Sequence, residues 1–152
     1  MTLFSKDRPE QSLGFMFWQV TNLWQRKAAE ALRPFGLTHV QFILLAGTAW
    51  LAQQGETVTQ NKLAQHAKTD VMMTSKVCRT LEKKGLLLRA KHRFDTRAKA
   101  LVLTKSGNQA VQQAMQVMHD MDQEFFAELA KPDQFLRQLN ILNGTQPLEE
   151  AR

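Results

Sequence analysis

The pattern of apolar and polar residues predicts six helices and one β-hairpin along the 152-residue chain. Apolar residues recur at steps of three and four over about 12–33, which predicts a long first helix that ends before Gly36. A second helix is expected over about 38–53. Thr38 and Gln41 have the spacing of a capping box, in which each side chain bonds to the backbone N–H of the other residue.

Two shorter helices follow in the centre of the chain. Val58 can form one short strand, and Thr59 is a good N-cap for a third helix over about 60–67. A fourth helix begins near Asp70 and stops at Gly85, a residue type that favours helix ends. A short helix, a turn and a second helix make a helix-turn-helix, whose second helix fits the major groove of DNA.

The fourth helix has an apolar and a polar face. Its apolar face carries Thr74, Val77, Cys78 and Leu81. The opposite face carries the candidate DNA contacts, which are Met72, Met73, Ser75, Lys76, Arg79 and Thr80, with Lys83 beside them. We expect Arg79 to bind guanine, because its planar fork matches O6 and N7, Lys76 to bind a base or a phosphate, and Ser75 to bind a phosphate. The methionines can pack against thymine methyl groups; the alternative for all these residues is a solvated helix face.

Short strands at about 86–88 and 100–103 predict a β-hairpin with a long, basic loop. From Val71 to Lys99 the chain has nine Lys or Arg against two acidic residues, a charge of +7, whereas the whole chain carries +6. The net positive charge therefore lies in the helix-turn-helix and the hairpin, where a polyanion such as DNA would bind. The expected phosphate contacts of the hairpin are Lys91, His92, Arg93 and Lys99. The alternative is a loop that only aids solubility.

Large apolar residues lie towards both ends of the chain. A fifth helix follows its N-cap, Thr104 or Ser106, and a sixth is expected over about 132–143. The fifth helix has a coiled-coil-like seam of Val111, Ala114, Met118, Met121 and Phe125, which Leu129 extends. A symmetric homodimer would cover the apolar faces of the terminal helices. The alternative is that the two ends pack on each other within one chain. Core positions are expected for Trp18, Trp24, Phe42 and Trp50.

Composition limits the possible classes of protein. A single cysteine excludes an internal disulfide framework and suits a reducing cytoplasm; we expect Cys78 to be a buried, inert thiol. No apolar run resembles a signal peptide or a membrane span, so the sequence predicts a cytoplasmic protein. The four histidines are spread over separate elements, and no nucleophile–base pair or glycine-rich phosphate loop is apparent. We therefore expect no metal, no cofactor and no enzymatic activity.

Several of these segments resemble one known family. Residues 95–104, DTRAKALVLT, are similar to the wing signature of the MarR (multiple antibiotic resistance regulator) family of winged helix-turn-helix transcription factors. Residues 81–86, LEKKGL, resemble the end of that family's recognition helix. Leu63-Ala64 and the helix start at Leu37-Thr38 also fit, and the resemblance extends over nearly the whole chain.

The resemblance implies a mainly α fold with a small β-hairpin wing. Residues 38–104 would form a winged helix-turn-helix module, and residues 12–34 and 105–143 would form dimerisation helices within the single 1–152 chain. Such a homodimer implies a pseudo-palindromic operator in double-stranded DNA, with recognition helices about 34 Å apart. The family also implies repression that is relieved by a small effector, often an aromatic one, whose binding residues the sequence does not identify.

The resemblance also adds roles for individual residues. Arg97 occupies the position of an arginine that reaches the minor groove, where narrow A·T-rich DNA concentrates negative potential. Asp95 is expected to be structural, because it can orient Arg97 or tie down the hairpin. Thr59 and Gln60 begin a helix whose amides and dipole can bind a phosphate, although an ordinary cap is the alternative. Two other functions stay open: a winged module that binds an acidic protein with little specific DNA binding, and a small-molecule binding protein without operator recognition.

Overall fold

The computed structural model describes residues 8–91 and 99–145. These parts of the chain form six α-helices and one two-stranded antiparallel sheet, which confirms the predicted class of a mainly helical protein with a β-hairpin. The elements are α1 (Leu13–Leu32), α2 (His39–Gln53), α3 (Gln60–Ala67), α4 (Val71–Lys83), β1 (Leu87–Lys91), β2 (Lys99–Leu103), α5 (Lys105–Phe125) and α6 (Pro132–Asn143). Short 3-10 turns precede and follow α1.

Side-chain caps begin the central helices where the sequence predicts them. The Thr38 hydroxyl accepts the Gln41 N–H at 3.2 Å, and the Gln41 amide oxygen accepts the Thr38 N–H at 3.1 Å, so the capping box is confirmed. Thr59 caps α3 and Asp70 caps α4, each through its side-chain oxygen. A cap of this kind stabilises a helix by about 1 kcal/mol.

The core lies around α2, which packs against α1, α3, α4 and α5. The largest completely buried side chains include Leu32, Leu44, Leu45, Leu63, Leu81 and Leu87. Complete burial of one leucine stabilises the fold by about 1.5–3 kcal/mol. Gly47 lets α3 approach α2 closely, because a Cβ at this position would lie 3.0 Å from side-chain atoms of both His66 and Leu63. The helix-turn-helix is thus fixed to the core through α2.

The hairpin differs from the prediction at its ends. Its strands pair Leu87 with Leu103 and Lys91 with Lys99, so the predicted bounds of 86–88 and 100–103 are wrong. The apolar run stops at residue 88, but the backbone hydrogen bonds between the strands continue beyond it to residue 91. The spacing of apolar residues does not predict this part of the pairing, because backbone groups of any residue type can form it. Leu86 lies outside the strand, and its carbonyl accepts the N–H of Thr104 at 3.1 Å. Thr104, one of the two residues considered, is the N-cap of α5.

Two further predictions about element boundaries are wrong. Val58 forms no strand; only its carbonyl joins the sheet region, by accepting the N–H of Leu101 at 2.7 Å. Leu129 does not extend α5, which ends at Phe125. The backbone turns after that residue, and the Leu129 N–H donates to the Phe126 carbonyl three residues earlier at 3.1 Å. Apolar spacing continued beyond the point where the backbone leaves the helix.

The apolar chain ends are partly covered within the chain. The second half of α1 packs against α5, where Trp24 Nε1 donates to Asp122 Oδ1 at 2.7 Å. The seam of α5 is buried at Val111, Ala114 and Met118, so the alternative of packing within one chain is correct for this region. The first half of α1 and most of α6 are less well covered: α6 buries none of its residues, and the exposed apolar side chains include Leu13, Phe17, Trp18, Leu136, Ile141 and Leu142.

No single helix in the described chain is both long and apolar enough to cross a membrane; Leu13–Phe35 and His39–Gln53 reach that length and composition only as a pair bent by 75°. Among residues 8–91 and 99–145, no group of three or more His, Cys, Asp or Glu is placed to hold a metal ion.

Candidate DNA-binding surface

The turn between α3 and α4 fixes the orientation of α4. Lys68 ends α3 in the left-handed conformation, with φ 53°, which lets the chain reverse direction within a few residues. The hydroxyls of Thr69 and Thr74 lie 2.7 Å apart and share a hydrogen bond across this turn. Thr74, Cys78 and Leu81 are completely buried against the core. The predicted apolar face of α4 is therefore confirmed, and its opposite face must point outwards.

The outward side of α4 carries a single stripe of residues at helical spacing. We call this set the α4 stripe, and its members are Met72, Lys76, Arg79 and Lys83, separated by four, three and four positions. All four side chains are exposed. Within the described chain no salt bridge joins its three cations to an acidic side chain. A row of unpaired cations on a rigid helix suits a ligand that carries regularly spaced negative charges.

The other predicted residues of α4 lie at the sides of this stripe. Met73 is less exposed than Met72, and Ser75 is half-buried. Thr80 is exposed, but its hydroxyl already donates to the Lys76 carbonyl at 3.3 Å. These three residues flank the stripe and do not form its centre. Their expected contacts with DNA stay predictions.

At the start of α3, Thr59 has a defined structural role. Its hydroxyl accepts the N–H of Lys62 at 3.2 Å, as an ordinary cap does. Gln60 is half-buried at the first helical position. Lys62 forms a salt bridge to Glu56 at 3.2 Å, which holds the chain before the cap against the helix. The cap is established, and a phosphate contact at this helix end stays a prediction.

The described strands of the hairpin include two of the predicted cations of the wing. Lys91 ends β1 and Lys99 begins β2, so the described strands stop directly before the basic loop. The Lys99 side chain is exposed. The remaining predicted wing residues, His92, Arg93, Asp95 and Arg97, lie outside the described residues. Their roles as DNA contacts, or as a structural carboxylate for Asp95, stay predictions.

Two cations of the basic segment have internal roles that sequence reasoning missed. Lys84 Nζ donates to the Gly36 carbonyl at 2.6 Å and to the buried Gln41 amide oxygen at 3.0 Å, which ties the end of α4 to the turn before α2. Arg89 Nε donates to Glu82 Oε1 at 2.9 Å, and both side chains are only about a quarter exposed. This pair fixes β1 to α4. Glu82 therefore neutralises the charge of Arg89, whereas Lys84 keeps its charge while its Nζ is held by two uncharged oxygens.

One buried thiol and one partly buried imidazole have shifted pKa values. Burial raises the pKa of the Cys78 thiol to about 11, while nearby Arg89 lowers it and Glu82 raises it to a smaller extent. This confirms a buried cysteine. Burial also lowers the pKa of His39, an effect that Asp122 partly opposes. The His39 ring meets Trp24 edge-on at 4.8 Å between centroids, and its buried Nε2 has no hydrogen-bond partner in the described structure.

A cleft of about 780 Å³ is lined by residues of α2, α3 and α5. Its apolar walls include Trp50 and Met115, and polar groups are supplied by Gln53, His66 and Gln112. Trp50 is 54% exposed and lines this cleft, and Trp18 is 63% exposed on α1, so the expectation of core positions is wrong for both. It is correct for Phe42, which is buried. The outward-facing tryptophans show that helical spacing alone does not identify the buried face.

A core-anchored helix-turn-helix with an outward cationic stripe, followed by a two-stranded hairpin, defines a winged helix-turn-helix DNA-binding protein. The family model for the MarR family matches residues 37–99. The chain is 47% identical over 134 residues to an uncharacterized HTH-type transcriptional regulator, YdcH, of Bacillus subtilis. The aligned residues cover 88% of this chain and 91% of that relative. The chain therefore belongs to the MarR family of transcriptional regulators, which are DNA-binding proteins and not enzymes.

Two other relatives are known in bound states. The structure of MepR of S. aureus with DNA matches at a TM-score of 0.73 and 25% identity, covering 88% of this chain and 94% of that one. The structure of the MarR family protein Rv2887 of Mycobacterium tuberculosis in complex with salicylic acid matches at a TM-score of 0.66 and 28% identity. This match covers 91% of this chain and 99% of the Rv2887 chain. Rv2887 is named as an HTH-type transcriptional repressor.

Proposed function

We propose that this protein is a homodimeric, cytoplasmic repressor that binds a two-fold-symmetric DNA operator and releases it when a small molecule binds. The observation that carries the proposal is the α4 stripe, because its three exposed cations, which form no salt bridge with another described residue, stand directly opposite side chains that are completely buried. The relative Rv2887, named a repressor, supports the direction of regulation.

A second copy of the chain is the natural cover for the terminal helices. α6 buries none of its residues, and the first half of α1 exposes Leu13, Phe17 and Trp18. Surfaces of this kind are typical of obligate interfaces. We assign residues 12–34 and 105–143 to dimerisation and residues 38–104 to DNA binding. A two-fold axis would then place the two α4 helices about one turn of DNA, roughly 34 Å, apart.

In the proposed complex, α4 lies in the major groove and the hairpin loop lies over the adjacent minor groove. Arg79 binds guanine through its two parallel donors, and Lys76 binds a base or a phosphate. Arg97 enters the minor groove, oriented by Asp95, while Lys91, His92, Arg93 and Lys99 bind phosphates. Arg89 takes no part, since Glu82 already neutralises its charge within the fold.

The cleft of about 780 Å³ supports the second half of the proposal. It lies between α5, which we assign to the dimer, and α3, which supports the DNA-binding helix. Its size and its largely apolar wall with a few polar groups suit a small aromatic ligand. Salicylic acid, which the relative Rv2887 binds, is a reasonable first probe. A ligand wedged between α3 and α5 would change the orientation of α4 relative to the dimer and so weaken binding to a symmetric operator.

The proposal is tested by fluorescence anisotropy with labelled DNA from upstream of the protein's own gene and with a scrambled duplex, at several salt concentrations. Selective binding by about a thousandfold or more would support a specific regulator. Arg79→Ala should weaken selective binding by ~1–3 kcal/mol and relax the preference at one base position. Arg8→Ala, which removes an exposed arginine that precedes α1 and lies outside the segments assigned to dimerisation and DNA binding, should leave affinity unchanged. Equal and weak binding to both duplexes would favour the protein-interaction module instead.

A further inference from the structure

Met72 is the outermost residue in the first turn of the DNA-binding helix. It is the second residue of α4 and 81% exposed, the most exposed methionine among the described residues. On the helix it lies opposite Thr74 and Cys78, which are completely buried. It starts the α4 stripe, one turn before Lys76. An apolar side chain therefore stands at the position from which recognition helices normally contact base edges.

The chemistry of methionine restricts what Met72 can bind there. The thioether has no donor and is only a weak acceptor, so it cannot replace the water that hydrates a base carbonyl, ring nitrogen or amino group. Covering such a group without a hydrogen bond is costly. The C5 methyl of thymine is the apolar group that unmodified DNA presents in the major groove. Contact with that methyl removes apolar surface from water on both sides.

We propose that Met72 is a specificity-determining residue that selects thymine in each half-site by packing on its C5 methyl group. The inference rests on the proposed function, in which α4 lies in the major groove. Its occupant is DNA because Met72 is continuous with Lys76 and Arg79 on one exposed face, and these cations attract a polyanion to that face. Met73 does not share this role, since it lies about 100° around the helix and is less exposed.

The test replaces thymine with deoxyuridine, which removes only the methyl group. A duplex selected by the unaltered protein from a random library is synthesised with each thymine of the half-sites replaced in turn, and binding is measured by anisotropy. At one thymine position, deoxyuridine in one half-site should lower the affinity of the unaltered protein about fourfold, which corresponds to one buried methyl group. Deoxyuridine at this position in both half-sites should lower it about fifteenfold. Met72→Ala should bind the two duplexes equally. The exposed position of Met72 means that this variant should fold normally.

Two control variants distinguish the loss of a methyl contact from a general loss of affinity. Lys76→Ala should weaken binding to the thymine and deoxyuridine duplexes by the same factor, so the methyl effect survives. Met73→Ala, the matched methionine control, should also keep the full methyl effect. The proposal is overturned if Met72→Ala retains the deoxyuridine loss, if Met73→Ala abolishes it, or if no thymine shows it. Failure of the unaltered protein to select any DNA would overturn the proposed function, and this inference with it.

Discussion

Replacement of Gly107 by alanine tests the junction between the hairpin and α5. Gly107 lies in the first turn of α5, directly against the backbone that leads into β1. A Cβ at this position would lie 2.1 Å from the Leu86 carbonyl oxygen and 3.3 Å from Leu103 Cδ2. An ordinary carbon–oxygen contact is about 3.3 Å or longer, so the two backbone segments must separate by about 1.2 Å to admit alanine.

The size of the effect follows from the bonds at this junction. The Leu86 carbonyl accepts the Thr104 N–H at 3.1 Å, and the Thr104 hydroxyl donates to the Gly85 carbonyl at 2.6 Å and accepts the Gly107 N–H at 2.9 Å. Overpacking costs about 1–3 kcal/mol. Loss of one or two hydrogen bonds adds about 1 kcal/mol each, while the better helix propensity of alanine returns about 1 kcal/mol. We expect Gly107→Ala to lower the free energy of unfolding by about 1–4 kcal/mol.

Urea unfolding, followed by circular dichroism at one fixed chain concentration, measures this change. Ser106→Ala is the matched control, because Ser106 is the exposed neighbour in the same helical turn, and its effect should stay within about 0.5 kcal/mol. If Gly107→Ala were as stable as the parent or more stable, helix propensity would outweigh the contact. The reasoning from the short Cβ–carbonyl distance would then be refuted.

Three further predictions concern titration and backbone conformation. Burial lowers the pKa of His39, so below about pH 6.5 the unfolded chain binds a proton more readily than the folded chain. The free energy of unfolding should therefore decrease as the pH is lowered, and it should decrease less in His39→Phe; equal decreases in the two proteins would refute this assignment. Burial raises the pKa of Cys78 to about 11 from 9.0, so its reaction with a disulfide reagent near pH 8 should be at least about a hundredfold slower in the folded than in the urea-unfolded protein, and comparable rates would contradict burial. Lys68 has a left-handed backbone conformation, and its side chain donates to the Asn143 carbonyl at 2.6 Å. Lys68→Gly and Lys68→Ala both remove that bond, but only glycine adopts the left-handed conformation without a steric cost. The glycine variant should therefore be more stable than the alanine variant in urea unfolding by about 1 kcal/mol. Equal stability of the two variants would show that the left-handed conformation carries no cost.

The sequence predicts well the features that depend on neighbouring residues. Thr38, Thr59 and Asp70 cap their helices because a cap needs only a side-chain oxygen and an N–H three residues later. The two faces of α4 were predicted for a similar reason, since residues spaced by three or four positions share a face. These local rules were sufficient to identify the helix-turn-helix and to place Lys76 and Arg79 on its exposed side.

Features that depend on distant residues could not be predicted in this way. The basic segment gave no indication that Lys84 bonds to Gln41, 43 positions earlier, and therefore differs from Lys83 beside it. The end of α5 was missed because Leu129 continues the apolar spacing although the backbone has already turned. The close approach of Gly107 to Leu86 joins two elements whose separation only the folded chain defines. The wing residues from His92 to Arg97 lie outside the described residues, so their roles stay predictions.

The lack of buried residues in α6 has a consequence for how much regulator a cell can maintain. A helix of 12 residues is marginal in water by itself, so α6 in the proposed dimer owes most of its helicity to a second copy. An unpaired copy would then offer cellular proteases a frayed segment at α6, and we expect it to be degraded faster than the assembled form. Because dimer formation depends on the square of the chain concentration, the concentration of dimer would fall more steeply than the rate at which the chain is synthesised. The controlled genes would therefore respond more sharply to a change in expression of the regulator.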